Sequence, residues 1–73
     1  MRGIKYAIEF KTLEGATLNY ENKTMEETIE LIKDLCEEHY NLNLKITKHV
    51  VYNLIHRDSN RFLKKLCIVS KMN

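Results

Sequence analysis

The sequence predicts a small α+β fold: an N-terminal β-hairpin, two helices and a C-terminal strand. Three patterns predict this fold. Apolar and polar side chains alternate near the N-terminus, which is typical of half-buried strands. In the middle of the chain apolar side chains recur at spacings of three and four, which is typical of one helix face. Near the C-terminus the run 67–69, Cys-Ile-Val, favours a strand.

The hairpin is predicted from two alternating segments, 4–11 and 16–21, with a turn between them. In the first segment the apolar side chains point to one side of the strand: Ile4, Tyr6, Ile8 and Phe10. Leu13-Glu14-Gly15 supplies the turn, because Gly15 can adopt a positive φ without steric cost. In the second segment the same alternation involves Ala16, Leu18 and Tyr20.

The first helix is predicted over residues 25–39. Thr24 and Glu27 have the spacing of a capping box, in which each side chain binds the other residue's backbone N–H. The predicted inward positions are Ile29, Ile32, Leu35, Cys36 and Tyr40. Asn41 and Asn43 are expected to end the helix, because asparagine tolerates the left-handed conformation found at helix ends.

The second helix is predicted over residues 48–56. Thr47 is its expected N-cap, and Ile46, Val51 and Leu54 are its expected inward side chains. Asp58-Ser59-Asn60 predicts a turn. Residues 61–71 contain no helix breaker, and two alternatives stay open: a short helix over 61–66, or a strand that pairs with the hairpin.

Length and composition predict one ordered domain, 1–73. The chain has 73 residues, no proline and only two glycines, which argues against a disordered protein. No run of about 18 apolar residues predicts a transmembrane helix, and the first residues do not resemble a signal peptide. We therefore expect an intracellular protein.

The charge is distributed unevenly along the chain. Residues 1–43 have five basic and nine acidic side chains, a net charge of −4, whereas residues 44–73 have seven basic and one acidic, a net charge of +6. Such asymmetry is typical of a scaffold with one surface that faces a polyanion. The alternative is a solvated basic surface without a partner.

The two cysteines are expected to be free, buried thiols, as is common in reducing compartments. A disulfide between Cys36 and Cys67 is a less favoured alternative. So is a zinc site, for which the candidate ligands are Cys36, His39, His49, His56 and Cys67. The chain has no glycine-rich phosphate loop and no nucleophile–base pair at a suitable spacing, so we expect neither an enzyme nor a cofactor.

Residues 46–55, Ile-Thr-Lys-His-Val-Val-Tyr-Asn-Leu-Ile, resemble the second, DNA-reading helix of the helix-turn-helix proteins found among phage, viral and bacterial regulators. The resemblance extends over residues 27–57 and implies that the two helices have a helix-turn-helix-like arrangement. The sequence departs from that family in its turn, which is longer than the usual three to four residues and lacks glycine. The proline-free composition, rich in lysine and asparagine, also resembles small proteins of phages and large DNA viruses.

The resemblance implies binding of double-stranded DNA by the second helix in the major groove, with a regulatory or genome-packaging role and a homodimer. Lys48, His49 and Asn53 would contact base edges. Phosphate contacts would come from Lys45, Tyr52, His56 and Arg57. A basic arm would add charge through Arg61, Lys64, Lys65 and Lys71. If the source is viral, the protein would act in the host cytoplasm or nucleus, or in the virion.

The alternative is a protein-interaction module, such as an inhibitor of a host protein. It would act through an edge strand of the hairpin or through an acidic helix that mimics nucleic acid. That helix would depend on Glu26, Glu30, Glu37 and Glu38. RNA binding is disfavoured, because no pair of aromatic-rich strands is present for base stacking.

Overall fold

A computed structural model describes residues 3–57 and 61–72. The described elements are β1 (Lys5–Lys11), β2 (Thr17–Lys23), α1 (Met25–Tyr40), α2 (Lys48–Ile55), α3 (Arg61–Leu66) and β3 (Cys67–Met72). The strands form one antiparallel sheet in the order β2-β1-β3. The predicted α+β fold, with its hairpin, two helices and C-terminal strand, is confirmed. The turn predicted at 58–60 lies outside the described residues.

The sequence left open whether residues 61–71 form a short helix or a strand, and the structure contains both, a helix followed by a strand. α3 ends at Leu66 and β3 begins at Cys67, without a connecting loop. Leu63 and Leu66 bury one side of α3, whereas Cys67 and Val69 pair with Phe10 and Ile8 of β1. An isolated helix of this length is not stable in water, so burial of its leucines and the pairing of β3 fix the boundary.

The hairpin differs from its predicted bounds at both strands. β1 begins at Lys5, and Ile4, which was predicted to point inward, is exposed. Ala16 is also exposed, and β2 runs from Thr17 to Lys23. The register shifts near the end of β2, where Asn22 has a φ of 64°. Since asparagine tolerates this left-handed conformation, the bulge lets the pairing continue beyond the predicted end of the strand.

The helices cover one face of the sheet. Tyr6, Ile8 and Phe10 form the inner row of β1, and all three are buried. They belong to a single core cluster whose other members come from both helices of the predicted pair, from α3 and from β3: Ile32, Leu35, Cys36, Ile46, Val51, Leu54, Leu63, Leu66, Cys67 and Val69. The opposite face of the sheet carries the outward residues of the three strands and has no helix of the described chain on it.

Both ends of α1 are set by local hydrogen bonds. The Thr24 hydroxyl accepts from the Glu27 backbone N–H at 3.1 Å, and the Thr24 backbone N–H donates to the Glu27 carboxylate at 2.9 Å. The hydroxyl of Thr28, which the sequence pattern did not place in the core, is buried and donates to the Thr24 carbonyl at 2.7 Å. At the other end Asn41 has a φ of 55°, and its N–H donates to the Glu37 carbonyl. The predicted capping box and the predicted stop at Asn41 are confirmed.

Replacing Thr24 by alanine is expected to destabilise the fold by about 1 kcal/mol, because the Glu27 backbone N–H loses its acceptor.

The hydrogen bond from the Thr24 backbone N–H lowers the pKa of Glu27 below its ordinary value. Because the pKa of Glu27 is lower in the folded than in the unfolded protein, its carboxylate stabilises the fold at pH values above the unfolded-state pKa. This stabilisation is lost as the pH falls through the folded-state pKa. Urea denaturation should therefore show that Glu27→Gln reduces the dependence of stability on pH in the acid range. Thr17, an exposed threonine of β2, is the control for Thr24. If Thr17→Ala lost as much stability as Thr24→Ala, this account of the cap would be contradicted.

Candidate nucleic-acid interface

The helix α2 is held in place from one side only. Val51 and Leu54 are buried in the core, and Ile46, just ahead of the helix, packs with them. Thr47 caps the helix, since its hydroxyl accepts from the Val50 backbone N–H at 3.3 Å. The predicted cap and the three predicted inward side chains are confirmed. The anchoring leaves the other side of α2 turned away from the sheet.

The exposed side of α2, called here the α2 face, consists of Lys48, His49, Tyr52 and His56. Successive members of this set are about one turn or less apart along the helix, so their side chains lie on one side of it. The rings of Tyr52 and His56 are stacked, with centroids 5.9 Å apart and an interplanar angle of 18°. Tyr52 is 47% exposed. The α2 face therefore combines two kinds of group that bind nucleic acid, hydrogen-bond donors and an accessible aromatic ring.

No acidic residue occurs from position 39 to position 57. Lys45 is exposed just ahead of α2, and Arg57 is exposed just after it. The α2 face is therefore flanked by cations at both ends, and the acidic residues nearest to it in the sequence are Glu38 and Asp58. Asn53, which was predicted to read a base, is only partly exposed, so its amide is less accessible than the four side chains of the face.

Arg57 has an unusual backbone conformation. The second helix was predicted over residues 48–56, but α2 ends at Ile55, His56 is its C-cap, and Arg57 has a φ of 59°. Its backbone N–H donates to the Leu54 carbonyl at 3.2 Å. The other described residues with positive φ are Gly15, Asn22 and Asn41, which are of types that tolerate this region. Arginine has no such advantage, so its backbone is strained there.

Replacing Arg57 by glycine is expected to stabilise the fold by about 1 kcal/mol, because glycine adopts this φ without the steric cost of a Cβ. The same change should weaken any binding of polyanions to this end of α2. Chemical denaturation measures the first effect, and Asn41→Gly is the matched control, with an expected change close to zero. A loss of stability in Arg57→Gly would show that the arginine side chain makes a stabilising contact that outweighs the strain.

The remaining basic side chains predicted for the site lie on α3 and β3. Arg61, Lys65 and Lys71 are exposed, and Lys64 is half-buried. The structure therefore gathers the residues of 45–57 around α2 and places the others on separate elements that follow it in the chain. Phe62, which the sequence did not single out, is 42% exposed beside these cations, and its ring meets that of Tyr40 edge to face at 6.1 Å.

Six of the ten acidic side chains lie on a different helix, α1. Those exposed on α1 are Glu26, Glu27, Glu30, Asp34, Glu37 and Glu38. Four of them, Glu26, Glu27, Glu30 and Asp34, line a shallow depression together with Lys23 and Leu31, and the other two, Glu37 and Glu38, lie nearer the C-terminal end of the helix. The helix α1 thus has six acidic side chains and one cation, Lys33, whereas α2 and the residues directly around it from 45 to 57 have cations and no acid.

The two cysteines belong to the core. Both are free and buried, so the alternative disulfide is not formed. Burial raises the pKa of the Cys36 thiol, and burial together with the nearby Cys36 raises the pKa of Cys67 to about 12, an effect that the charge of Arg57 partly opposes. Within residues 3–57 and 61–72 no three histidine, cysteine or acidic side chains are grouped as metal ligands. In the same residues no helix has the length and apolar character needed to cross a membrane.

Comparison with known proteins gives no relative. No protein-family model matches the chain, and neither a curated protein nor a solved structure is significantly similar to it.

Proposed function

We propose that this protein binds double-stranded DNA through the α2 face. The observation that carries the proposal is the exposed, acid-free surface of a helix that is anchored from its opposite side. An anchored helix with cations at both ends fits the major groove, which is about 12 Å wide and admits an α-helix. A helix of this length is about 12 Å long, so one copy would contact only a few base pairs.

The positions along α2 suggest how contacts are divided. Lys48 and His49, at the N-terminus of the helix, are placed to approach base edges, the mode used by helix-turn-helix proteins. Lys45 and Arg57, at the two ends, are placed to contact phosphates and to fix the position of the helix on the duplex. The stacked Tyr52 and His56 lie between these ends and would cover the sugar–phosphate backbone on one side of the groove.

The affinity in this proposal comes mainly from cations that displace counterions from DNA. Arg61, Lys65 and Lys71 are exposed on the elements after α2 and would act as the basic arm. Each phosphate neutralised adds about 0.9 to the slope of log K against log salt concentration. A regulatory or genome-packaging role in a phage or virus is the biological setting in which such a small DNA-binding domain would act.

The test is a salt titration of binding to random-sequence double-stranded DNA, followed by fluorescence anisotropy. We expect binding at low salt and a slope of about 3 if only the cations on and next to α2 contact DNA, or about 5 if the basic arm contacts it as well. Specific sites would then be sought by selection from a random pool. Absence of binding at low salt would contradict the proposal and would direct attention to the acidic side of α1 and the edge strands as surfaces for a protein partner.

A further inference from the structure

The face of the sheet opposite the helices, called here the open sheet face, has an ordered pattern of side chains. On β1 its central residues are Lys5, Ala7 and Glu9, and the residues paired with them on β3 are Met72, Ser70 and Ile68. Ile68 is 42% exposed in this face of β3. A shallow groove crosses this face, and its lining includes Ala7, Glu9, Ile68 and Ser70.

This pattern is complementary to itself. On β1 a cation lies two residues before Ala7 and an anion two residues after it, whereas on β3 an apolar side chain lies two residues to each side of Ser70. Two such faces can be related by a two-fold axis that lies between them, runs perpendicular to the strands and is level with Ala7. It sets Lys5 opposite Glu9 of a second copy and Ile68 opposite Met72 of that copy, and the reverse.

We propose that a second copy of this chain covers the open sheet face, with β1 of one copy antiparallel to β1 of the other. The small side chains of Ala7 and Ser70 lie at the centre, where two sheets must approach to about 10 Å. Two symmetric Lys5–Glu9 pairs flank this centre on β1. On β3, Ile68 of each copy would face the side chain of Met72 of the other, which extends across β1 and accepts from the Asn22 backbone N–H at 3.0 Å, and this contact would remove the exposed isoleucine from water.

The dimer should be weak, because the face is small. Three strands about 4.8 Å apart, rising about 3.3 Å per residue, offer a footprint of a few hundred Å², whereas a stable complex buries about 800 Å² on each partner. Glu21 is exposed on β2 near the level of Ala7 and meets its own copy across the axis. Removing that repulsion in Glu21→Gln should therefore strengthen the association.

The arrangement has a consequence that rests on the proposed function. Because α2 packs on the inner face of the sheet, the two α2 faces of this dimer lie on opposite outer sides. Such a dimer would hold two separate duplexes rather than two half-sites of one duplex. Bridging of two DNA molecules would then require the open sheet face, whereas the salt-dependent binding of one duplex would require only the α2 face. A chain that binds one duplex but does not associate would therefore contradict the dimer and leave the proposed DNA binding intact, and the reverse result would do the opposite.

Sedimentation equilibrium from low to high micromolar concentration tests the dimer directly, without DNA. We expect Lys5→Glu and Glu9→Lys each to weaken the association about tenfold or more, because each places like charges across the axis twice. The double variant Lys5→Glu/Glu9→Lys exchanges the charges and should restore the wild-type value. Glu14→Lys, an equal change of charge in the exposed hairpin turn, is the control.

Two outcomes would overturn the proposal. The first is a wild-type chain that stays monomeric over the whole concentration range. The second is a double variant that folds, as judged by circular dichroism, but associates no better than the two single variants. A loss in Glu14→Lys equal to that in Glu9→Lys would also overturn it, because net charge rather than the pairing of the two faces would then control association.

Discussion

The double charge reversal Lys48→Glu/Arg57→Glu is expected to weaken binding to random double-stranded DNA about 100-fold at low salt, and to lower the salt slope by about 2. The physical reason is that Arg57 would contact a phosphate just after α2, and that Lys48, the first residue of α2, would enter the groove between the two phosphate backbones, where its charge also displaces counterions. Lys48 has no acidic residue within nine positions in the sequence, and Arg57 has one acidic neighbour, Asp58, that follows it directly. Each glutamate would therefore add a repulsion as well as remove an attraction.

The matched control for this reversal is Lys11→Glu/Lys33→Glu. Lys11, at the end of β1, and Lys33, on α1, are exposed, and the change of net charge is identical. If only net charge mattered, both double variants would lose affinity equally, and the assignment of the site to α2 would be wrong. Urea denaturation of both variants separates loss of binding from loss of fold.

Phe10→Ala is expected to destabilise the protein by about 3 to 5 kcal/mol, the range found when a buried aromatic side chain is removed from a core. Phe10 is fully buried near the C-terminal end of the central strand β1, between Leu18 of β2 and Cys67 of β3 in the register. Its ring also lies 6.0 Å from those of His39 and Tyr40. The side chain therefore joins all three strands to the end of α1.

The expected loss of stability in Phe10→Ala is large for so small a domain. At about 0.05 to 0.15 kcal/mol per residue, a chain of this length has a total stability of about 4 to 11 kcal/mol. Phe10→Ala should thus remove a large part of it, and urea denaturation followed by circular dichroism should show a large decrease in the midpoint or an unfolded protein. Phe62→Ala is the control, with an expected cost of about 1 kcal/mol for a half-exposed ring that contacts Tyr40. Equal losses in the two variants would contradict the central role of Phe10.

The first helix could be read almost completely from the sequence, because its determinants are local. The capping box at Thr24, the spacing of Ile32, Leu35 and Cys36, and the left-handed stop at Asn41 all act within a few residues. The exposed residues of α2 were predictable for the same reason: when Val51 and Leu54 face the core, the helical period assigns Lys48, His49 and Tyr52 to the other side.

Pairing between distant segments could not be read in this way. The strand β3 begins at Cys67 because its residues pair with β1, which lies more than fifty positions earlier in the chain. The bulge at Asn22 depends on the register between β1 and β2, and the left-handed backbone of Arg57 depends on how the chain leaves α2. The burial of Thr28 follows from its position on α1 against the sheet.

The sequence by itself determined the fold class, the order of the predicted elements, the caps of both helices of the predicted pair and the side of α2 that faces solvent, because each follows from propensity, hydrogen bonds or periodicity over a short stretch of chain. Only the tertiary structure decided where α3 gives way to β3 and which side chains share the open sheet face. Lys5 and Glu9 lie beside Met72 and Ile68 only through the register of β1 with β3. That register is set by burial of Ile8 and Phe10 against Val69 and Cys67, a contact between segments that the local sequence does not specify.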